Sequence, residues 1–430
     1  MAVQQMSNTI RENKFEQTDH CALEKKPLLT IEEAQTSITS SIHPICEMDT
    51  IPLNSALGRV LAQPIYAPIN LPYERNAAMD GYAFSSASII DKQAFTLNLV
   101  GSSWAGKPFQ DVLPPNACIR IFTGAVVPDA LDSVVMQEHV SVEGTRVHFS
   151  ASTQGLQNIR SAGEDVKQND LLCHAPKIIT MDTLALLASA GVDTVAVTRR
   201  LKIIFFSTGD ELMALGESLQ SGKIYDSNRY LLNSLLTSPS YDLVDGGVIA
   251  DDQSKLEDTL RQAAKNYDVI ITTGGASVGE ADFVKETLAR CGHVNFWKIA
   301  VKPGKPLAFG KIGHSYFFGL PGNPVAVRVT FQHLVAPALK QLQGLAHIKP
   351  LRFLATATCA LKKSPGRLEF QTGVLTQTDQ GEFVVNSAGK QGSHILSSLD
   401  KANCFIILPL ECSGVQTGDA VLIEPFSTAI

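Results

Sequence analysis

Along the middle of the chain, short apolar runs alternate with amphipathic stretches. They are KIIFF at 202–206, a helical pattern near 227–236, VIA at 248–250, a second helical pattern over 253–265, DVIIT at 268–272 and a third from about 281 to 290. Apolar runs bounded by turn residues mark buried strands, and their alternation with helices predicts an α/β domain. In the second helical stretch Leu256, Leu260 and Ala264 fall four apart, a narrow apolar stripe suited to lying on a sheet.

The pattern changes before Arg199. There FTLNLV, ACIRIF, SVVMQEHV and TRVHFS are short alternating runs among prolines, and they predict a separate β-rich module. Helical patterns near 29–41 and 181–191 flank that module and read as two helices of one discontinuous domain. After about Ile348, FLATATCAL, GEFVVN and NCFIILP with Gly-rich turns predict a small β domain.

Composition narrows the class. At 430 residues, 44% hydrophobic and 18% charged, the chain fits two to four globular domains. No apolar stretch approaches the ~20 residues of a membrane span, so no membrane role is expected, and residues 1–26 lack the apolar core of a secretory signal. Eight cysteines stand without a CxxC or a His-rich partner, which predicts cytoplasmic thiols rather than a zinc site or a disulfide framework. A formal charge of −6 argues against a broad nucleic-acid surface while leaving room for an anionic small molecule.

The candidate chemistry sits in loops at predicted strand ends, where open parallel sheets bind ligands. STGDEL (207–212), ADD (250–252), TTGGASVGEADF (272–283), KPGKP (302–306) and LPGNP (320–324) are such loops. Gly274 and Gly275 let backbone N–H groups approach an anion near the positive end of the third helix, although tight turns use glycine just as readily. Ser277, Glu280 and Asp282 add a hydroxyl and two carboxylates. Ser207 and Asp210 have the spacing of a capping box and either close a helix start or line the site. Glu211 beside an anion loop calls for a cation, and Mg2+, which takes carboxylate and phosphate oxygens together, would reconcile them, with Asp251 and Asp252 on the same rim. Lys302 and Lys305 across a proline-stiffened turn, with Lys298 before them, invite an oxyanion. Asn323 and Pro324 have the form of an N-cap and first helical residue.

Read in order with RNAAMDGYAF (75–84), RIFTGAVVPDALDSVVMQE (120–138), NIRSAGEDV (158–166), IYDSNRYLL (224–232), PGRLEFQ (365–371) and QGSH (391–394), these loops resemble the molybdopterin molybdenumtransferase family, bacterial enzymes related to the carboxyl-terminal domain of gephyrin. The resemblance spans roughly residues 27–425. It implies an α/β and β multidomain fold: a three-layer molybdopterin-binding α/β domain over 199–345, a β-rich domain over 67–152, a discontinuous linking domain over 27–66 and 153–198, and a C-terminal β domain over 346–430, after a flexible extension over 1–26.

The resemblance further implies insertion of molybdenum from molybdate into adenylylated molybdopterin, with release of AMP and the help of Mg2+. Asp80, Thr123 and Asp165 fall on the family's motif positions, with Glu211, Asp251 and Asp282 on the α/β side, the last three as metal ligands. An oxyanion site is implied near Lys302, Lys305, Arg367 and Ser393. A homodimer with a shared cleft and a molybdopterin adenylyltransferase as substrate donor are the implied partners. Ala77 and Ala326 depart from the family, which often has serine at both, and each departure removes a hydroxyl donor. A gephyrin-like scaffold and the adenylyltransferase itself are the competing readings. The first lacks an adenylylating domain and long linker here, and the second tends to read TGGTG and lacks the extra domains.

Overall fold

A computed structural model of the chain describes residues 28–274 and 282–426. The expected extension over 1–26, Gly275 and Ser277 lie outside the described residues, as does the side chain of Asp282.

The α/β domain is built on a six-stranded sheet in the order Tyr241–Ile249, Leu201–Thr208, Val269–Thr273, Ser315–Leu320, Pro306–Ile312, Gly292–Lys298. Its first four strands run parallel and the last two antiparallel. Val269–Thr273 and Ser315–Leu320 are buried at every position, as strands covered on both faces must be. Side chains that alternate along a strand go to opposite faces: Ile203, Phe205 and Ile271 join one core, while Ile204, Phe206 and Ile270 join the other. Helix Gln253–Ala263 sends Leu256 and Leu260 into the second core.

The two helices flanking the β-rich module do not share a hydrophobic core. Ile31, Ala34 and Ile38 of helix Ile31–Ser41 pack into the first α/β core, whereas Leu187 of helix Met181–Ser189 packs on a small four-stranded sheet. That sheet brings together segments far apart in sequence, Met48–Pro52 with Thr194–Thr198 and Val60–Leu61 with Lys177–Ile178. Between them, the β-rich module forms its own six-stranded sheet with Gly81–Phe84, Ala117–Ile121 and Ser133–Met136 side by side.

The C-terminal domain is a closed ring. Leu368–Gln377 pairs with Phe383–Ser387, that with Phe353–Ala357, that with Ala420–Pro425, that with Cys404–Leu408, and the last returns to Leu368–Gln377. Closure leaves no free edge among these five. One short strand from outside, Val301–Lys302 of the KPGKP loop, adds in parallel to the start of Leu368–Gln377. The α/β domain and the barrel are thus stitched through backbone hydrogen bonds.

Past the LPGNP loop the chain runs as helix Pro324–Thr330, a π-helical turn over Phe331–Val335 and helix Ala336–Leu342. Ala336 N–H donates to the Phe331 carbonyl five residues back, and Pro337, with no N–H to give, follows directly. Asn323 occupies the N-cap position before Pro324 as its sequence suggests, but its side chain makes no capping hydrogen bond.

Candidate functional site

Three loops and one helix start meet at the carboxyl edge of the parallel strands. Gly274 has φ +87°, and a side chain there would stand 2.5 Å from the Thr208 carbonyl oxygen, so only glycine fits. A Cβ on Gly322 would lie 3.7 Å from the Gly274 Cα, which puts the TTGG and LPGN loops in contact. Asn228 Nδ2 donates to the Gly322 carbonyl at 2.7 Å, and Asp226 caps helix Ser227–Leu236 by accepting from Arg229 N–H at 3.1 Å. The second Asp226 oxygen and the Asn228 Oδ1 are buried without a partner among the described residues.

The carboxylates beside these loops differ from expectation. No helix follows Ser207, which is buried inside strand Leu201–Thr208, so the STGD spacing closes no helix. Asp210 instead exchanges hydrogen bonds with Asp251: Asp210 N–H donates to Asp251 Oδ2 at 3.4 Å and Asp251 N–H to Asp210 Oδ1 at 3.1 Å. This pair ties the loops after two neighbouring strands. Glu211 folds its carboxylate over Gly209, where an added Cβ would meet Oε2 at 2.2 Å. Asp252 caps helix Gln253–Ala263 by accepting from Lys255 N–H, and that bond, then one from the Ser254 hydroxyl, lowers its carboxyl pKa. Among the described residues no three His, Cys, Asp or Glu side chains converge as a metal site.

A cavity of about 430 Å³ lies where the α/β domain meets the barrel, and Lys302, Gly322, Asn323, Arg367, Gln371 and Ser393 line it. Lys302 is there because its strand pairs with the barrel, opposite Glu369. The Lys302 ammonium is 3.2 Å from the Glu369 carboxylate, which is buried and also accepts from Gln371 Nε2 at 3.0 Å. The QGSH loop is held to the helix start by Val325 N–H donating to the Ser393 carbonyl at 3.0 Å. Of the four expected oxyanion residues, Lys302, Arg367 and Ser393 share this cavity and Lys305 does not. After Gly304 the chain rejoins the α/β sheet, where the Lys305 carbonyl accepts from Ile299 N–H at 2.7 Å. Lys298, exposed at the end of its strand, is also outside the cavity.

The two departures separate. Ala326 lines the cavity, so a hydroxyl in its place would stand at the cavity wall. Ala77 is fully buried in an apolar cluster with Ala83, Ile119 and Ile121, so a hydroxyl there would meet core rather than ligand.

On the β-rich module Asp80 and Thr123 form one unit. Asp80 Oδ1 accepts from Thr123 N–H and from the Thr123 hydroxyl, both at 2.7 Å. Those two bonds, with the Arg120 charge behind them, hold the carboxyl below its ordinary pKa. Asp165 sits elsewhere on the module's rim, its N–H donating to the Leu71 carbonyl at 3.0 Å, and no hydrogen bond or ion pair joins it to Asp80. None joins Asp80 or Thr123 to Glu211, Asp251 or Lys302 either.

Glu369, Gln371 and the Asp210–Asp251 exchange were not foreseen. The alternation E-F-Q within PGRLEFQ was the available signal, since it puts Glu369 and Gln371 on one strand face.

Comparison with known proteins agrees with the resemblance over most of the chain. Residues 29–191 match the MoeA N-terminal region (domain I and II), residues 204–341 the probable molybdopterin binding domain, and residues 355–426 the MoeA C-terminal region (domain IV). The chain is 44% identical to a molybdopterin molybdenumtransferase of Haemophilus influenzae over 93% of its own length and 99% of that protein. It is 32% identical to gephyrin of Dictyostelium discoideum, covering 89% of this chain and 60% of that one. A crystal structure of the molybdopterin biosynthesis moeA protein from Pyrococcus horikoshii superposes with a TM-score of 0.79 at 27% identity, over 93% of this chain and all of the other. With three consecutive domain matches and a 44% identical relative spanning nearly its full length, the chain belongs to the molybdopterin molybdenumtransferase family.

Proposed function

We propose that this protein inserts molybdenum from molybdate into adenylylated molybdopterin and releases AMP, a step of molybdenum cofactor biosynthesis. The observation that carries the reading is the cavity in which Lys302, Arg367 and Ser393 converge from two domains, beside the glycine loops of the sheet edge. A guanidinium, an ammonium and a hydroxyl suit a tetrahedral oxyanion such as molybdate, and Gly274, with no side chain in the way, suits the approach of the substrate's phosphates.

In the proposed reaction a molybdate oxygen forms a bond to the adenylyl phosphorus, and the P–O bond to the pterin phosphate breaks, its electron pair staying on that phosphate. The Mo–O bond then breaks as the dithiolene sulfurs take molybdenum, and that oxygen leaves on AMP. Lys302 and Arg367 orient the molybdate. Mg2+ fits the carboxylates at the strand ends, because it takes oxygen ligands from one or two carboxylates and completes its shell with phosphate oxygens and water. One or two of Asp251, Glu211 and Asp282, with Asp210 bound to Asp251, would hold it, and it would neutralise phosphate charge during transfer.

Asp80, Thr123 and Asp165 belong to the same cleft in this reading, supplied by a second subunit of a homodimer. Among the described residues no hydrogen bond or ion pair joins them to Glu211 or Asp251 within one chain, which supports that arrangement. A molybdopterin adenylyltransferase supplies the substrate. Cytoplasmic residence is supported by seven free thiols among the described residues. No helix among the described residues is long and apolar enough to cross a membrane.

The deciding experiment is AMP release from purified adenylylated molybdopterin, with and without molybdate and Mg2+, for wild type and D282A. Release should depend on both additions and fall in D282A. Equal release without molybdate would contradict the mechanism.

A further inference from the structure

Trp104 is 49% exposed although the indole is the largest apolar side chain the chain could hide. One ring face lies on Phe122, with centroids 3.7 Å apart and planes within 17°. The indole N–H donates to the Ser102 hydroxyl at 3.0 Å, and reciprocal backbone bonds with Lys107, 3.0 and 2.9 Å, hold the turn that carries it. The ring is therefore set in place before anything lands on its other face, which lowers the entropic cost of binding.

Its neighbours give the shelf a direction. Phe122 directly precedes Thr123, whose N–H and hydroxyl hold Asp80. The Arg120 guanidinium lies 5.3 Å from the Phe122 ring centroid and 4.8 Å from that of Tyr82, two residues beyond Asp80, and hydrogen-bonds Gln137. Aromatic plane, guanidinium, hydroxyl and carboxylate thus form one continuous surface on the β-rich module. Flat nitrogen heterocycles are bound by this combination, stacking on the ring and hydrogen-bonding at their edges.

We infer that Trp104 and Phe122 form a stacking shelf for a planar nitrogen heterocycle of the substrate, next to Asp80 and Thr123. The inference rests on the function proposed above, in which the substrate carries two such rings, a pterin and an adenine. Trp104 is a binding residue in this scheme, and its removal weakens substrate capture while leaving the chemical step intact.

The chain has two tryptophans, and the other, Trp297, is partly buried against Phe309 in the α/β domain. In a W297F protein all indole fluorescence reports the shelf. Titration of that protein with AMP and, separately, with neopterin, corrected for inner-filter absorption, should give saturable quenching by at least one. AMP alone assigns the shelf to the adenine, neopterin alone to the pterin, and quenching by neither overturns the inference. In AMP-release assays W104A should raise KM for adenylylated molybdopterin about tenfold with little change in kcat, and W104F should recover most of the loss. Active wild type with an unchanged KM in W104A sinks the shelf alone, whereas wild type without molybdate-dependent AMP release sinks the proposed function. A change of oligomeric state in W104A, with no ligand quenching in W297F, would make the surface a contact between subunits and overturn the inference.

Discussion

Lys302 and Glu369 meet at 3.2 Å across a strand pair whose two members belong to different domains. The lysine is half exposed toward the cavity and the glutamate is buried beneath it, so the pair couples the cavity's charge to domain docking. K302A should lose molybdate-dependent AMP release and also strand a buried carboxylate, with a stability loss of about 1–2 kcal/mol after allowance for the exposed lysine. The double variant K302A/E369Q should regain stability in urea denaturation without regaining the molybdate-dependent rate. Recovery of both would show that Lys302 acts only as a structural partner.

The Asp80 carboxyl is held low chiefly by the Thr123 N–H and next by its hydroxyl. A depressed carboxyl stays charged at pH values below its ordinary range, so activity that needs the carboxylate should persist into mildly acid conditions. T123V keeps the backbone bond and removes the hydroxyl, so the acid limb of the pH–rate profile should move to higher pH. An unmoved limb would remove Asp80 from the groups that control the reaction.

Asp251 and Asp252 are neighbours with different work. D251A removes an acceptor that braces the Asp210 loop and a ligand of the proposed Mg2+ site, so the Mg2+ concentration for half-maximal AMP release should rise about tenfold or more. D252A removes a helix cap, so it should cost about 1 kcal/mol of stability and leave the Mg2+ dependence alone. The reverse pattern would exchange their roles.

If the cleft is shared, the statistical mixture formed by co-expressing D80A and D282A chains should recover about a quarter of wild-type activity, since half the dimers contain one intact site of two. Activity no higher than that of either variant alone would place both residues in one chain's site.

His333, in the π-helical turn, is buried against Phe370, and its pKa is pushed down to about 3 by burial, with the Arg352 and Arg328 charges adding to it. Its 3.5 Å separation from the buried Glu424 is therefore that of a neutral imidazole, while Arg352 Nε supplies Glu424's ion pair at 2.9 Å. The unfolded chain takes up the histidine proton near pH 6.5 and the native chain does not. Stability is accordingly full above that pH and falls as pH drops toward 3, by at most about 1.4 kcal/mol per pH unit from this group. H333Q should flatten that part of the pH–stability curve.

Local pattern carried the α/β domain: the apolar runs around Ile203 and Ile271 were legible because a strand covered on both faces writes its burial into consecutive residues. The closed barrel and the seating of Val301–Lys302 on it were not, because both depend on pairing between residues far apart. Helix Ile31–Ser41 has a readable capping box and apolar stripe, yet nothing in those residues says which sheet the stripe meets. In the same way STGD has the letters of a cap, and the strand pairing of Ser207 overrode them. For the site, Lys302, Arg367 and Ser393 were legible by motif, while Glu369 was hidden as an ordinary charged residue within a strand.

The barrel strand that receives Lys302 begins at Leu368, 66 positions after the lysine, and the ring closes only with residues beyond 420. A chain emerging from the ribosome can finish its α/β sheet well before either exists. The cavity that Lys302 and Arg367 line is then among the last features to form during synthesis, and a chain that stops short of the barrel's closing strand does not yet enclose it.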